Sequence, residues 1–284
     1  MPSLNRRPGR TGTCAQRLRC LVVGVVVTAS AGACGSGSGA AAPRVPESGG
    51  SDQSEQSAYP VSWEATLLSF AAPRTFDGQL QSSLAAALDA PWETPMQVTN
   101  GHDTAQVPSC RALLGLAETY EPAVASDFAT FQDLQARCRA VALLSEARPS
   151  RVSWLHAFTL DDQAPSRLPA AFAFAVSPED DQRVTEASSL GKPWSAIESV
   201  HLLEQASPRQ ARYSGDASEQ NLAIVGYADV NGDGVEDLLV LSHGRLTEGS
   251  LKSTRLLVIT QDGPDQPTTR LLPIESAGDH GQVR

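Results

Sequence analysis

The spacing of apolar positions divides the chain into stretches of different character. Residues 21–27 form an unbroken apolar run, and residues 35–60 offer almost nothing that could enter a core. From Val61 to about residue 205, apolar side chains recur mostly at helical spacing. Beyond about residue 210 they gather into short β-rich runs separated by Gly, Asn and Asp. The strongest helical pattern is "SDFATFQDLQARCRAVALLSEA" (126–147). There Phe128, Phe131, Leu134, Cys138, Val141 and Leu144 follow one another at steps of three and four. Ser126 or Asp127 offers an N-cap, and Pro149 stops the helix. "LQSSLAAALD" (80–89) and "PEDDQRVTEASSLG" (178–191) carry weaker helical patterns, the second ending on Gly191. "SCRALLGLAETY" (109–120) is a short companion segment, and "LPAAFAFAV" (168–176) reads as buried without deciding between helix and strand.

"NLAIVGYA" (221–228), "DLLVLSHG" (237–244) and "TRLLVITQ" (254–261) read as strands of an antiparallel meander, with "TTRLLPI" (268–274) as a fourth. No period of 20–50 residues recurs, which argues against a propeller or solenoid built from several copies. The fold class expected is therefore α+β: a mainly helical part over 61–205 with one disulfide, then a small antiparallel β-meander over 206–284.

The N-terminus reads as a targeting segment. Residues 1–20 carry Arg6, Arg7, Arg10, Arg17 and Arg19 without an acid, and an apolar stretch and small residues follow. The apolar run is far shorter than the roughly 20 residues of a membrane span, so residues 1–33 read as a secretory signal. "AGAC" (31–34) resembles the lipobox of bacterial lipoproteins, in which cleavage leaves a cysteine that receives lipid. That resemblance implies acylation of Cys34 and attachment to a membrane of the cell envelope without spanning it. The plainer alternative is ordinary secretion with Cys34 as a free thiol. Residues 34–60 then form a flexible Gly/Ser/Pro tether spanning on the order of 25–30 Å.

Compartment and charge follow from this. Once Cys14 and Cys20 leave with the signal and Cys34 takes the lipid, Cys110 and Cys138 remain as a pair in an oxidising compartment, which predicts a disulfide. Neither has a second Cys or His at metal-ligand spacing. The formal charge is −10, and it falls to −15 without residues 1–33, which hold five of the 22 basic residues and none of the 32 acidic ones. Such acidity argues against nucleic acid and against direct adhesion to anionic lipid heads, and it suits divalent cations.

"DVNGDGVED" (229–237) lies between the first two predicted strands. Asp229, Asn231, Asp233 and Asp237 place side-chain oxygens at positions 1, 3, 5 and 9, Val235 can offer its carbonyl, and Gly234 stands where the chain must turn. Ca²⁺ takes six to eight hard oxygen ligands, whereas Mg²⁺ seldom uses an all-protein cage. Position 12 is Val240 rather than the bidentate Glu that closes an EF-hand loop. The stretch resembles the "DxNGDGxxD" loop of FG-GAP and VCBS-type repeats, where a β-loop-β unit wraps calcium. That resemblance implies Asp229, Asn231, Asp233, Val235 and Asp237 as ligands, with Glu236 pointing outward. The alternative is a bare hairpin turn built on Asn-Gly and Asp-Gly.

Other candidate chemistry is sparse. His102 with Asp103, and His156 with Asp161 and Asp162, are His–carboxylate neighbours in sequence, more simply read as a polar loop and a structural histidine. His201 and His243 lie in or beside strand-like runs without ligand spacing. No G-x-S-x-G, H-E-x-x-H or glycine-rich phosphate loop is present. Trp63, Trp92, Trp154 and Trp194 are scattered and read as core rather than as a carbohydrate platform. The expected function is that of an exported, lipid-anchored, non-enzymatic binding or structural component of the envelope, with one structural Ca²⁺ and an unidentified envelope or extracellular partner. The alternative is an envelope-polymer hydrolase using one of the His–carboxylate pairs.

Overall fold

A computed structural model describes residues 59–70, 81–117, 119–264 and 269–272. The proposed signal, Cys34 and most of the tether lie outside these residues. Ten strands are present among them. Four short ones come first: β1 (Ser62–Trp63), β2 (Met96–Thr99), β3 (Thr104–Val107) and β4 (Glu121–Pro122). Then follow β5 (His201–Ser207), β6 (Gln210–Ser214), β7 (Ser218–Ala228), β8 (Asp237–Leu246), β9 (Lys252–Thr260) and β10 (Arg270–Leu271). The α-helices are α1 (Gln81–Asp89), α2 (Cys110–Leu114), α3 (Phe128–Glu146), α4 (Ala164–Arg167) and α5 (Pro178–Ser189). The molecule is α+β, as its sequence pattern implies.

The main sheet is an antiparallel meander in the order β10-β9-β8-β7-β6-β5, with β1 pairing the end of β7 that β6 leaves free. Successive side chains of a strand point to opposite faces, so the unbroken run Leu238–Leu241 needs cover on both sides. It receives it. Leu239, Leu241, Val225 and Val258 enter one core with Leu84, Phe131, Val141 and Leu144. Leu238, Val240, Ile224 and Ile259 enter a second core with Phe172, Trp194 and Tyr213. The first core lies under α1, α2 and α3, together with the three-stranded sheet β3-β2-β4. The second lies under the irregular segment that carries α4 and α5.

Local chemistry sets the element ends. Ser177 caps α5 by accepting from the Asp180 N–H at 3.1 Å, Pro178 opens its first turn, and Gly191 follows its end at φ +63°. The Ser109 hydroxyl caps α2 by accepting from the Ala112 N–H. α3 begins after a short 3₁₀ turn, with Asp127 at the cap position but without a side-chain cap bond. The Gln81 amide closes the other end of α3 by donating to the carbonyls of Leu144, Ser145 and Ala147. The Cys110–Cys138 disulfide joins α2 to the buried stripe of α3.

Two expectations change in detail. Phe128, the first member of the predicted apolar stripe of α3, is 45% exposed at the first position of the helix, where it lines an open cleft. The hairpin β5–β6 begins at His201, where a mostly helical pattern was expected. β5 is an edge strand with an exposed or half-exposed side chain at each position, so it bears no apolar alternation to read.

Candidate functional site

The loop 229–237 joins the ends of β7 and β8, the two longest strands. Asp229 is 3% exposed, and its two oxygens accept from the N–H groups of Gly232 at 2.6 Å and Gly234 at 2.9 Å. The Asn231 amide donates to Asp233 Oδ2 at 2.8 Å, and Asp233 Oδ1 accepts from the Val235 N–H at 2.7 Å. Asp237 is fully buried, and its Oδ2 accepts from the Val230 N–H at 2.9 Å. Its Oδ1 is buried, with the equally buried Thr260 hydroxyl of the facing strand as its neighbour. Burial pushes the Asp237 carboxyl up to about 6, although the Thr260 hydroxyl and the Val230 N–H pull it down; the carboxylates of Asp233 and Asp229 add a smaller upward push.

Gly232 and Gly234 adopt φ of +80° and +86°, a region that L side chains enter only at a cost. The loop is braced from outside by residues 148–152. Arg148 and Asp229 exchange backbone hydrogen bonds at 3.0 Å, and the Gly234 carbonyl accepts from Arg151 and Val152. The Arg151 guanidinium lies where a side chain on Gly234 would project, at 2.7 Å from an ideal Cβ. The loop thus carries the predicted residues on one turn, where their side chains bond to the loop's own N–H groups and to one another. Among the described residues, however, no three His, Cys, Asp or Glu side chains converge closely enough to hold a metal ion.

Glu236 differs from the expectation that it points outward. It is 2% exposed, and its Oε2 accepts from the Ser153 hydroxyl at 2.6 Å, with His156 Nδ1 at 3.8 Å. Position 8 of the loop is therefore used to dock the segment carrying Ser153 and His156. His156 accordingly has Glu236 as its carboxylate neighbour. Asp161 is bound instead to Arg167 at 2.7 Å and to the Thr159 hydroxyl at 2.6 Å. His102 and Asp103 occupy the exposed β2–β3 turn, where their N–H groups donate to the Asn100 side chain. Trp194 and Trp92 are buried, whereas Trp154 is 40% exposed.

A His–carboxylate pair missed in sequence lies elsewhere. His243 Nε2 and Asp133 Oδ1 are 2.9 Å apart, between β8 and α3, and the other Asp133 oxygen accepts from Arg137 Nε at 2.8 Å. Burial holds the imidazole below its ordinary value, although Asp133 pulls the other way. The pair lines a cleft of about 410 Å³ that also takes in Thr130, Asn221, Lys252 and Thr254. Its members are 110 residues apart in sequence, so no local spacing could have announced them. No helix among the described residues is long and apolar enough to cross a membrane. Comparison of this chain with protein-family models, with curated proteins and with solved structures finds no match.

Proposed function

We propose that this chain is an exported envelope protein, anchored by lipid on Cys34, whose 229–237 loop takes one Ca²⁺ as a brace. In this reading its folded part serves as a non-enzymatic binding component. The observation that supports the ion is the fully buried Asp237 carboxyl at the end of the loop that carries Asp229, Asn231 and Asp233, with only the Val230 N–H and the nearby Thr260 hydroxyl to offset its burial. A buried carboxylate without a full set of partners is costly, and a cation offsets that cost. Asp229, Asn231, Asp233 and Asp237 would hold the ion with side-chain oxygens, and Val235 with its carbonyl. A carboxylate oxygen that accepts one N–H keeps a further lone pair, so the loop's internal bonds leave it ligand capacity.

A ligand bound only by the folded state raises the melting midpoint, by about 2.7 kcal/mol of stability at a hundredfold excess over its dissociation constant. The full chain should therefore melt higher in Ca²⁺ than in chelator, and Asp233→Ala should abolish the difference. Equal midpoints would remove the ion from this reading. For the anchor, Cys34→Ser should move the protein from the membrane fraction to the soluble one; retention of the variant at the membrane would remove the lipid.

A second reading, a hydrolase of envelope polymers, is favoured by one observation: a carboxylate-oriented histidine standing in a cleft. It requires turnover of an envelope polymer that disappears in His243→Ala, and absence of turnover in the unaltered protein rejects it.

A further inference from the structure

A second cleft, of about 800 Å³, lies beside the first turn of α3, and no residue of the 229–237 loop lines it. One wall is the segment 121–129, which runs from β4 into α3. The other is residues 250–252, where the turn after β8 enters β9. Backbone bonds hold both walls. The Ala123 N–H donates to the Gln97 carbonyl at 3.0 Å, and the Asp127 N–H to that of Val124 at 2.9 Å. The Leu246 N–H closes the turn on the Leu251 carbonyl at 3.1 Å. The cleft is therefore preformed, in the size range that takes small ligands.

Its lining carries charges of both signs. Glu121 stands on one wall and Lys252 on the other. Both are exposed, and neither forms an ion pair among the described residues, with the other or with a third group. No other charged side chain of the described residues lines the cleft; Asp127 and Glu248, also without ion pairs, lie outside the lining. Most of the remaining lining is apolar, and it includes Phe128 and Leu251, two of the large apolar side chains left exposed. One unmatched acid, one unmatched base and apolar surface together fit a ligand that is neutral overall, with a cation at one end and an anion at the other. An anion alone would meet Glu121 unfavourably, a polyamine would meet Lys252 so, and a neutral sugar would leave both charges unmatched. An apolar peptide with free termini brings an ammonium, a carboxylate and apolar side chains in one molecule.

We propose that this cleft binds short apolar peptides by their free termini, with the α-ammonium paired to Glu121, the α-carboxylate to Lys252 and the side chains packed on Phe128 and Leu251. The charge-assisted hydrogen bonds at the two ends fix the direction in which the peptide lies. The proposal gives the binding-component reading a ligand class, but it uses neither Cys34 nor the ion, so it can fail while they stand, and the reverse.

The test is calorimetric titration of the full chain with tri-leucine, with its N-acetyl form, with its C-terminal amide and with the doubly capped peptide. Tri-leucine should bind, and each single cap should weaken it by about fivefold or more, because it removes one charge-assisted contact. Glu121→Gln should abolish the penalty of the N-acetyl cap alone, and Lys252→Met that of the amide alone. An apolar groove that holds any greasy segment shows neither effect. Phe128→Ala should weaken binding of the free peptide. All three positions are exposed, so these substitutions spare the core. Absence of tri-leucine binding, a capped form that binds as tightly as the free peptide, cap penalties that persist in Glu121→Gln and Lys252→Met, or binding undiminished in Phe128→Ala would overturn the proposal.

Discussion

Gly232 and Gly234 lie two residues apart at nearly the same positive φ, yet their surroundings differ. An ideal Cβ on Gly232 meets its nearest neighbour, the Arg148 guanidinium, at 3.9 Å, whereas one on Gly234 meets Arg151 at 2.7 Å. Gly232→Ala should therefore cost about 1–2 kcal/mol of unfolding free energy, the penalty of a left-handed L residue. Gly234→Ala should cost more, because Arg151 must also move; urea denaturation of the two variants checks the order. His243 gives the pH-dependent counterpart. Its pKa is lowered in the folded state, so the unfolded chain binds the proton more readily as pH falls below about 6.5. Stability must then fall with pH from that point down through the folded pKa. His243→Gln removes this proton uptake, and its stability should fall less steeply below pH 6.5 than that of the unaltered protein. The charged groups that face His243 in the cleft, Asp133, Arg137, Glu219, Arg245 and Lys252, remain in the variant.

At the scale of elements, α3 binds the first core together. It carries Cys138, receives the Gln81 amide at its C-terminal carbonyls and lays Leu144 against Gly226 of β7. An ideal Cβ on Gly226 would lie 2.8 Å from Leu144, which is fully buried, so Gly226→Ala overpacks this contact. Overpacking of this kind costs roughly 1–3 kcal/mol, readable as a lower denaturant midpoint with an unchanged slope. The disulfide closes a loop of 28 residues between α2 and α3. In the chain-entropy model, replacing both Cys110 and Cys138 by Ser should cost about 3–4 kcal/mol. Reduction of the unaltered protein should lower its melting point by a comparable free energy. The strands of the meander were legible because they are central: "LLVL" within β8 and "LLVI" within β9 are apolar on both faces. β5 escaped notice because an edge strand in water leaves no such mark. β2, β3 and β4 are too short, at two to four residues each, to establish a period.

For the whole molecule, the sandwich explains why a helix-patterned stretch and a strand-patterned stretch form one compact unit, Gln53–Arg284. The sheet needs cover on both faces, and the chain before it supplies both layers. Formal charge belongs to this scale as well. At −10 for the full chain, folding gathers like charges, and the Ca²⁺ proposed for the 229–237 loop would relieve part of that repulsion. The stabilisation by Ca²⁺ should therefore be larger at low ionic strength than at 1 M salt, where screening acts within about 3 Å. Paired melts with Ca²⁺ and with chelator at the two salt concentrations measure this difference. By itself, the sequence determined what depends on neighbours along the chain. This covers the α+β class, the three long strands, the α3 helix, the identity of the two paired cysteines and the oxygen spacing of the loop. These follow from periodicity, turn chemistry and composition, all local properties. Only the tertiary structure decided what depends on distant segments meeting. It buried Glu236 against Ser153, gave His156 a different carboxylate from the one beside it in sequence and left Phe128 exposed at the start of α3. It also brought Asp133 to His243. Side chains find such partners through packing of whole layers, and spacing along the chain does not encode that.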